Sequence, residues 1–139
     1  MLTKLSFIFG LLICSSLTAQ KNNNALKITP LCKDAFVFTT YNEYKGNLVP
    51  ANGMYIVTNS GVVMIDSPWD TLQFQPLLDS IEKRHQQKVV LCIATHSHAD
   101  RTAGLEYYRM KGAKTYTSKQ TYDLCKEKNE KQSEFYFTK

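Results

Sequence analysis

The chain has 139 residues, a hydrophobic content of 43% and a formal net charge of +5 at pH 7. This length suits one domain rather than two, and the composition excludes a disordered or fibrous chain. The positive charge forms no Lys/Arg block, which argues against nucleic acid as a partner and is compatible with a small anionic substrate.

The first twenty residues, MLTKLSFIFGLLICSSLTAQ, have the three-part pattern of a secretory signal peptide. One cation precedes an apolar run from Leu5 to Ile13, small and polar residues follow, and the run is too short to span a bilayer. A buried N-terminal helix is the alternative, and it fits the pattern less well. We therefore predict a signal peptide over residues 1–20, export to the periplasm, and a mature domain over residues 21–139 without a membrane segment.

Strand patterns dominate the first half of the mature chain. Aromatic and β-branched residues predict a strand at Phe36–Tyr41, and the strands Met54–Thr58 and Val62–Asp66 are joined by the turn residues Asn-Ser-Gly. The intervening residues 42–52, with Gly46-Asn47 near their middle, form either a hairpin or a long loop.

Helices and strands alternate in the second half. Apolar residues at helical spacing predict a helix over Thr71–Gln87, and His85 near its end is expected to be a cation favoured by the helix dipole, without a function. The apolar run Lys88–Ala94 predicts a strand covered on both faces. The remaining predicted elements are a short helix with Leu105, Tyr108 and Met110 on its apolar side (103–111), a strand (113–117), a helix (119–129) and a strand beginning at 135.

This alternation predicts a layered α/β sandwich. Because no helix closes the sheet after the last strand, we expect the chain to be part of a larger domain. The mature chain has three cysteines, Cys32, Cys92 and Cys125, in no metal-binding CxxC spacing. The sequence does not decide whether two of them form a disulfide, and Cys92 is predicted to be a core residue.

The chemistry-bearing pattern is His-x-His-x-Asp, formed by His96, His98 and Asp100 directly after the strand Lys88–Ala94. Alternate side chains share a face on an extended segment but not on a helix. Ligands commonly collect beyond the carboxyl ends of strands in α/β sheets, and two imidazoles with a carboxylate suit zinc. The alternative is a pair of ordinary hydrogen-bonded surface histidines.

The sequence THSHADR resembles the zinc signature HxHxD of the metallo-β-lactamase fold. The order NGMYIVTNSGVVMIDSPWD, a helix, and IATHSHADRTAGLEYYRMKGAKTYTS resembles the class B, di-zinc β-lactamases of flavobacterial type. The resemblance covers about Leu26 to Lys139 and matches only the amino-terminal half of such an enzyme. It implies a four-layer αββα sandwich of which this chain is the amino-terminal half.

The residue after the aspartate narrows the subgroup. Most hydrolases of this superfamily carry a histidine there as a zinc ligand, whereas this chain has Arg101, which has no lone pair to give. Arg101 therefore favours the β-lactamases over the alternative, a hydrolase of the same fold that acts on a lactone or thioester. The resemblance gives Arg101 the role of orienting acidic or thiolate ligands.

The resemblance also implies two Zn²⁺ ions per complete domain. His96 and His98 would bind the first, Asp100 would bind the second and take part in catalysis, and the remaining ligands would lie beyond Lys139. A metal-bound hydroxide would open the β-lactam ring of penicillins, cephalosporins or carbapenems. The partner would be this small-molecule substrate, and the complete enzyme would be a monomer. The chain alone is expected to be inactive, and an unpaired sheet edge would invite aggregation.

Four further positions are candidates with open alternatives. Asp66 would support the metal ligands from behind, or is an ordinary strand-end aspartate. Trp69 would line the pocket, or pack against the sheet. Tyr44 and Leu48 lie in the segment Tyr44–Val49, which matches a mobile hairpin that closes over substrate but by composition is merely an exposed loop.

Overall fold

A computed structural model describes residues 26–138, so the predicted signal peptide lies outside the described residues. One sheet holds seven strands in chain order: β1 (Lys27–Pro30), β2 (Ala35–Tyr44), β3 (Asn47–Thr58), β4 (Gly61–Ile65), β5 (Val89–Ala94), β6 (Lys114–Ser118) and β7 (Phe135–Phe137). The helices are α1 (Phe74–His85), preceded by a 3-10 turn (Thr71–Gln73), α2 (Ala99–Thr102), α3 (Leu105–Met110) and α4 (Lys119–Glu127).

The sheet changes from antiparallel to parallel at β4. Strands β1 to β4 pair antiparallel, and β4 to β7 pair parallel through helical crossovers. The carboxyl ends of β4 to β7 therefore lie at the same edge of the sheet, where ligands commonly bind. This topology brings the end of β4 beside the segment that follows β5.

Residues 42–52, for which the sequence allowed a hairpin or a long loop, belong to a hairpin. Strands β2 and β3 pair from Ala35 to Tyr44, and the turn consists of Lys45 and Gly46. Their φ angles are 51° and 75°, as tight two-residue hairpin turns require.

Helix α1 confirms the predicted amphipathic pattern. Its buried side chains are Phe74, Leu77 and Ile81, and they pack against the sheet. Pro76 falls in the first turn, where a missing N–H costs no helical hydrogen bond. The helix ends at Gln86, whose φ of 54° is a left-handed cap.

The predicted helix over 103–111 is two short helices instead. Helix α2 ends at Thr102, and α3 begins at Leu105 after Gly104. Leu105 and Tyr108 are buried as expected, but Met110 is 72% exposed, so its placement on the apolar side was wrong. Met110 is the last residue of α3, where the chain leaves the sheet, and its sequence neighbours Arg109 and Lys111 are exposed as well.

The helices cover one face of the sheet, and within residues 26–138 the other face is uncovered, so coverage of β5 on both faces stays a prediction for the complete domain. Val90 is 40% exposed, and no element among residues 26–138 packs over that side of the sheet. The strand registers place apolar side chains from strands β2 to β7 on this open face, among them Val37, Met54, Ile56, Val63, Ile65, Leu91, Ile93, Tyr116, Phe135 and Phe137. The described residues thus supply one helix layer and one sheet layer.

The helices are too short to cross a membrane, and the cysteines are unpaired, among the residues that the structure describes. Within residues 26–138, no helix has the length and apolar content needed to cross a bilayer. Cys32, Cys92 and Cys125 are all free thiols, and Cys92 is fully buried as predicted. Burial in the apolar core raises the pKa of the Cys92 thiol far above its usual value, so the thiol stays protonated and unreactive.

His85 at the end of α1 packs into an aromatic cluster rather than behaving as the expected cation. Its Nε2 lies 3.2 Å from the hydroxyl of Tyr55, and its ring centroid lies 4.8 Å from that of Phe36. Burial lowers the pKa of His85, and the nearby Arg84 charge lowers it further. Both effects act against the charged form that a helix carboxyl end would favour.

We expect the lowered pKa of His85 to make stability depend on pH. Between the folded and unfolded pKa values the unfolded chain binds more protons, so the stabilisation is complete above the unfolded pKa of about 6.5 and is lost as the pH falls. Urea unfolding at about pH 8 and pH 5.5 should show a smaller loss for His85→Gln than for the unmodified chain. An equal loss in both proteins would contradict this assignment.

Candidate functional site

The segment after β5 carries the predicted ligands at the shared carboxyl edge of the parallel strands. The chain bends over residues 96–98, His98 itself keeps extended backbone angles (φ −86°, ψ 154°), and α2 begins at Ala99. Asp100 therefore lies in the first turn of a helix, so the expectation that three side chains alternate along one extended segment was wrong beyond His98. The helix starts there because the amides of Arg101 and Thr102 donate to the carbonyl of His98.

His96 and His98 are adjacent and accessible. Their ring centroids are 4.2 Å apart with an interplanar angle of 73°, and both side chains are exposed. Two neutral imidazoles are suitable ligands for zinc, which takes four ligands in tetrahedral sites. Within residues 26–138, however, no cluster of three or more His, Cys, Asp or Glu side chains could hold a metal. The pair fits zinc as part of a ligand set and not as the whole of it.

Asp66 anchors the beginning of this segment. It is 7% exposed, and its Oδ1 accepts hydrogen bonds from the Thr95 amide at 2.8 Å and the Thr95 hydroxyl at 2.9 Å. Burial raises the pKa of Asp66, while the bonds from Thr95 and the charge of Arg101 oppose that rise. The residue adopts φ 64°, a left-handed conformation that aspartate tolerates better than most residues. These contacts exceed those of an ordinary strand-end aspartate.

Arg101 connects three parts of the edge. Its Nε lies 3.6 Å from Asp66 Oδ2, and its Nη1 lies 3.4 Å from Asp100 Oδ2. The same Nη1 donates to the backbone carbonyl of Asn52 on β3 at 3.1 Å. The guanidinium thus offsets part of the negative charge of the two carboxylates and connects β3 to α2.

Ser67 is a site residue that the sequence analysis missed. It is buried, its Oγ donates to the Arg101 carbonyl at 3.0 Å, and it accepts from the Gly104 amide at 2.9 Å. Thr95 was missed as well. The signal available in the sequence was a hydroxyl residue directly after Asp66 and another directly before the first histidine, which is a weak pattern by itself.

The hairpin and Trp69 form a second part of the site. The ring centroids of Tyr44 and Trp69 are 5.9 Å apart, so Trp69 contacts the hairpin. Tyr44 and Leu48 are 51% and 47% exposed. An open hollow of about 420 Å³ lies between the hairpin and Asp70. An exposed apolar tip over a hollow is typical of a substrate-contacting loop.

Comparison with known proteins identifies the class. A metallo-β-lactamase from Pontibacter korlensis superposes with a TM-score of 0.77 at 30% sequence identity, covering 83% of this chain and 54% of that chain. The fold class is therefore the four-layer αββα sandwich, of which the described residues form one helix layer and one sheet layer. No protein-family model matches the chain.

Sequence relatives narrow this class to a family. The chain is 46% identical over 112 residues to a metallo-β-lactamase type 2 of Elizabethkingia meningoseptica, covering 81% of this chain and 45% of the relative. It is 38% identical over 120 residues to metallo-β-lactamase IND-1 of Chryseobacterium indologenes, covering 86% and 50%. The relatives it matches are flavobacterial class B metallo-β-lactamases, and the chain spans about half the length of these curated relatives. This partial coverage fits an amino-terminal portion.

Proposed function

We propose that this chain supplies the amino-terminal part of a zinc-dependent hydrolase that opens the β-lactam ring of penicillins, cephalosporins or carbapenems. The observation that carries the proposal is the adjacent pair His96 and His98 at the carboxyl edge of the parallel strands, next to Asp100 and Arg101. The names of the relatives support the same activity. We further propose that residues 1–20 are a signal peptide for export to the periplasm, and that the complete protein is a monomer.

The proposed metal roles follow the donor chemistry of the side chains. His96 and His98 would hold one zinc ion, and Asp100 would hold a second zinc ion and so belong to the catalytic machinery. When bound, zinc supplies Lewis acidity toward an amide carbonyl. The pair alone provides two of the four ligands that zinc takes, so the other ligands must come from another part of the complete protein.

The surrounding residues would hold these ligands in place. Asp66 fixes the amide and hydroxyl of Thr95, one residue before His96. Arg101 Nη1 lies 3.4 Å from Asp100 Oδ2, so the guanidinium faces the proposed metal-binding carboxylate. Because arginine cannot bind a metal itself, its side chain is free to orient the carboxylate.

Substrate contacts are proposed for the hairpin. Tyr44 and Leu48 present apolar surface near its tip, Trp69 packs against Tyr44, and Leu48 also lines the hollow. A β-lactam antibiotic has apolar substituents and a carboxylate, so apolar contacts at this tip would help to orient it over the metal ligands. The net charge of +5 is compatible with such an anionic substrate.

The test is a chimera that joins residues 21–139 of this chain to the matching remainder of the Elizabethkingia meningoseptica relative. We expect the chimera to hydrolyse a chromogenic cephalosporin, to lose this activity with a chelator, and to regain it with zinc. The 139-residue chain alone should show no hydrolysis, because two histidines hold zinc weakly.

The relative itself is the positive control, and circular dichroism establishes that the chimera is folded. A folded chimera that binds zinc without cleaving any β-lactam would contradict the proposal. Turnover of a lactone or a thioester in place of the cephalosporin would reassign the substrate class and favour the other hydrolases of this fold.

A further inference from the structure

Ser67 lies directly after Asp66, and the two residues hold opposite ends of the segment that carries the histidines. Asp66 accepts from Thr95 at the beginning, and Ser67 bonds to Arg101 and Gly104 at the end. We propose that Ser67 is a positioning residue that fixes the α2–α3 junction and thereby sets where His98 and Asp100 lie. The inference rests on the proposed function, since it assigns Ser67 a role in metal binding.

The contacts of Ser67 are directed at both sides of the junction. Its hydroxyl donates to the Arg101 carbonyl at 3.0 Å and accepts from the Gly104 amide at 2.9 Å. Its own amide donates to the same Arg101 carbonyl at 3.1 Å. The Pro68 carbonyl lies farther from the hydroxyl, at 3.3 Å. One side chain therefore serves a carbonyl of α2 and the amide that precedes α3.

These backbone groups need such a partner. Helix α2 has four residues, so most of its terminal carbonyls and amides find no partner within the helix. Gly104 is buried, and an unpaired buried amide is costly. Asp100 belongs to α2, and His98 is the residue directly before that helix. If the α2–α3 junction shifts, both candidate ligands therefore move with it.

The packing leaves no room for a side chain at Gly104. A Cβ added to Gly104 would lie 2.9 Å from the Ser67 Cβ and 2.6 Å from the ring of Tyr108. The space between Gly104 and Ser67 is thus filled by the glycine backbone and the serine side chain. If the hydroxyl is removed, the neighbouring atoms must shift before water can reach the Gly104 amide.

The first measurement is hydrogen exchange in the 139-residue chain, which requires no metal. We expect Ser67→Ala to speed exchange of the Gly104 amide by about tenfold, because the amide loses its acceptor. The matched control is Ser60→Ala in the exposed β3–β4 turn, which should leave Gly104 unchanged. Unchanged exchange at Gly104 in a folded Ser67→Ala chain would overturn the proposal.

The second measurement is binding of Co²⁺ to the chimera, followed by its visible absorption. We expect Ser67→Ala to weaken Co²⁺ binding by about 10–100-fold and to change the spectrum, as loss of a group that orients ligands does. Ser67→Thr, which keeps the hydroxyl, should restore most of the affinity.

The outcomes separate this inference from the proposed function. Faster exchange together with wild-type Co²⁺ affinity and spectrum would make Ser67 merely structural and overturn its positioning role. If Ser67→Ala prevents folding, Ser67→Thr is compared with the unmodified chimera instead. Weakened Co²⁺ binding by the folded threonine variant, which keeps the hydroxyl, would contradict the positioning role of that hydroxyl. Failure of the unmodified chimera to bind Co²⁺ or hydrolyse a β-lactam is failure of the proposed function, and the exchange result stands apart from it.

Discussion

Replacing His98 by alanine in the chimera is expected to lower the kcat/KM for a chromogenic cephalosporin by at least about a thousandfold. A catalytic metal contributes several kcal/mol to stabilising the transition state, and each 1.4 kcal/mol corresponds to about tenfold in rate. His96→Ala should have a comparable effect, because the two adjacent imidazoles belong to the same proposed ligand set. Zinc content after dialysis should fall together with activity.

His85→Gln is the matched control for these histidine substitutions. His85 lies in the aromatic cluster with Tyr55 and Phe36, and no contact joins it to the segment that carries His96 and His98. This variant should retain full turnover at neutral pH. If His96→Ala and His98→Ala also keep wild-type kcat/KM, the assignment of these residues as metal ligands is wrong.

Replacing Phe38 by alanine is expected to cost about 3–5 kcal/mol of unfolding free energy, as other buried aromatic truncations do. Phe38 is fully buried and pairs with Gly53 across strands β2 and β3. A Cβ added to Gly53 would lie 2.2 Å from the Phe38 ring, so Gly53→Ala should also destabilise, by about 1–3 kcal/mol. Urea unfolding of the 139-residue chain measures both values.

The two positions should be coupled. In a Phe38→Leu background the ring atoms nearest Gly53 are gone, so Gly53→Ala should cost at least about 0.5 kcal/mol less than in the unmodified chain. Phe137→Ala, at a position that is 51% exposed, is the control and should change stability by no more than about 0.5 kcal/mol. Strictly additive effects of the two substitutions would show that the ring does not occupy the space over Gly53.

The sequence predicted those features that local periodicity determines. The spacing of Phe74, Leu77 and Ile81 predicted α1 and its buried face, and the structure confirms both. The run that became β5 was predicted within one residue at its start and correctly at its end. Periodicity reports which side chains are apolar, however, and not whether a second layer is present to cover them. The open face beside Val90 therefore could not be predicted from the strand itself.

The adjacent histidines could be picked out from the sequence, and their role as metal ligands stays a prediction. Most of the contacts around them could not be read from the sequence. His96 and His98 stand out because histidine is scarce in this chain, which has three. The contact from Asp66 to Thr95 spans 29 residues, and the contact from Ser67 to Gly104 spans 37. Such pairs are created by the parallel crossover between β4 and β5, so no local pattern contains them. The start of α2 at Ala99 also depends on a contact between residues distant in sequence, since α2 docks against Ser67.

In the 139-residue chain taken alone, the apolar side chains on the uncovered side of the sheet form a surface unlike the one that the helices cover. Water stays in contact with this side when the helices dock, so the docking of the helices recovers only part of the hydrophobic free energy that the strands could release. The uncovered strip should bind environment-sensitive dyes such as ANS while near-ultraviolet circular dichroism reports ordered aromatic rings, a combination that distinguishes it from a molten globule. We expect solubility to fall steeply with added ammonium sulfate, because salting-out favours burial of exposed apolar area. The 139-residue chain should therefore stay in solution best at low ionic strength and low protein concentration, because its apolar face is uncovered.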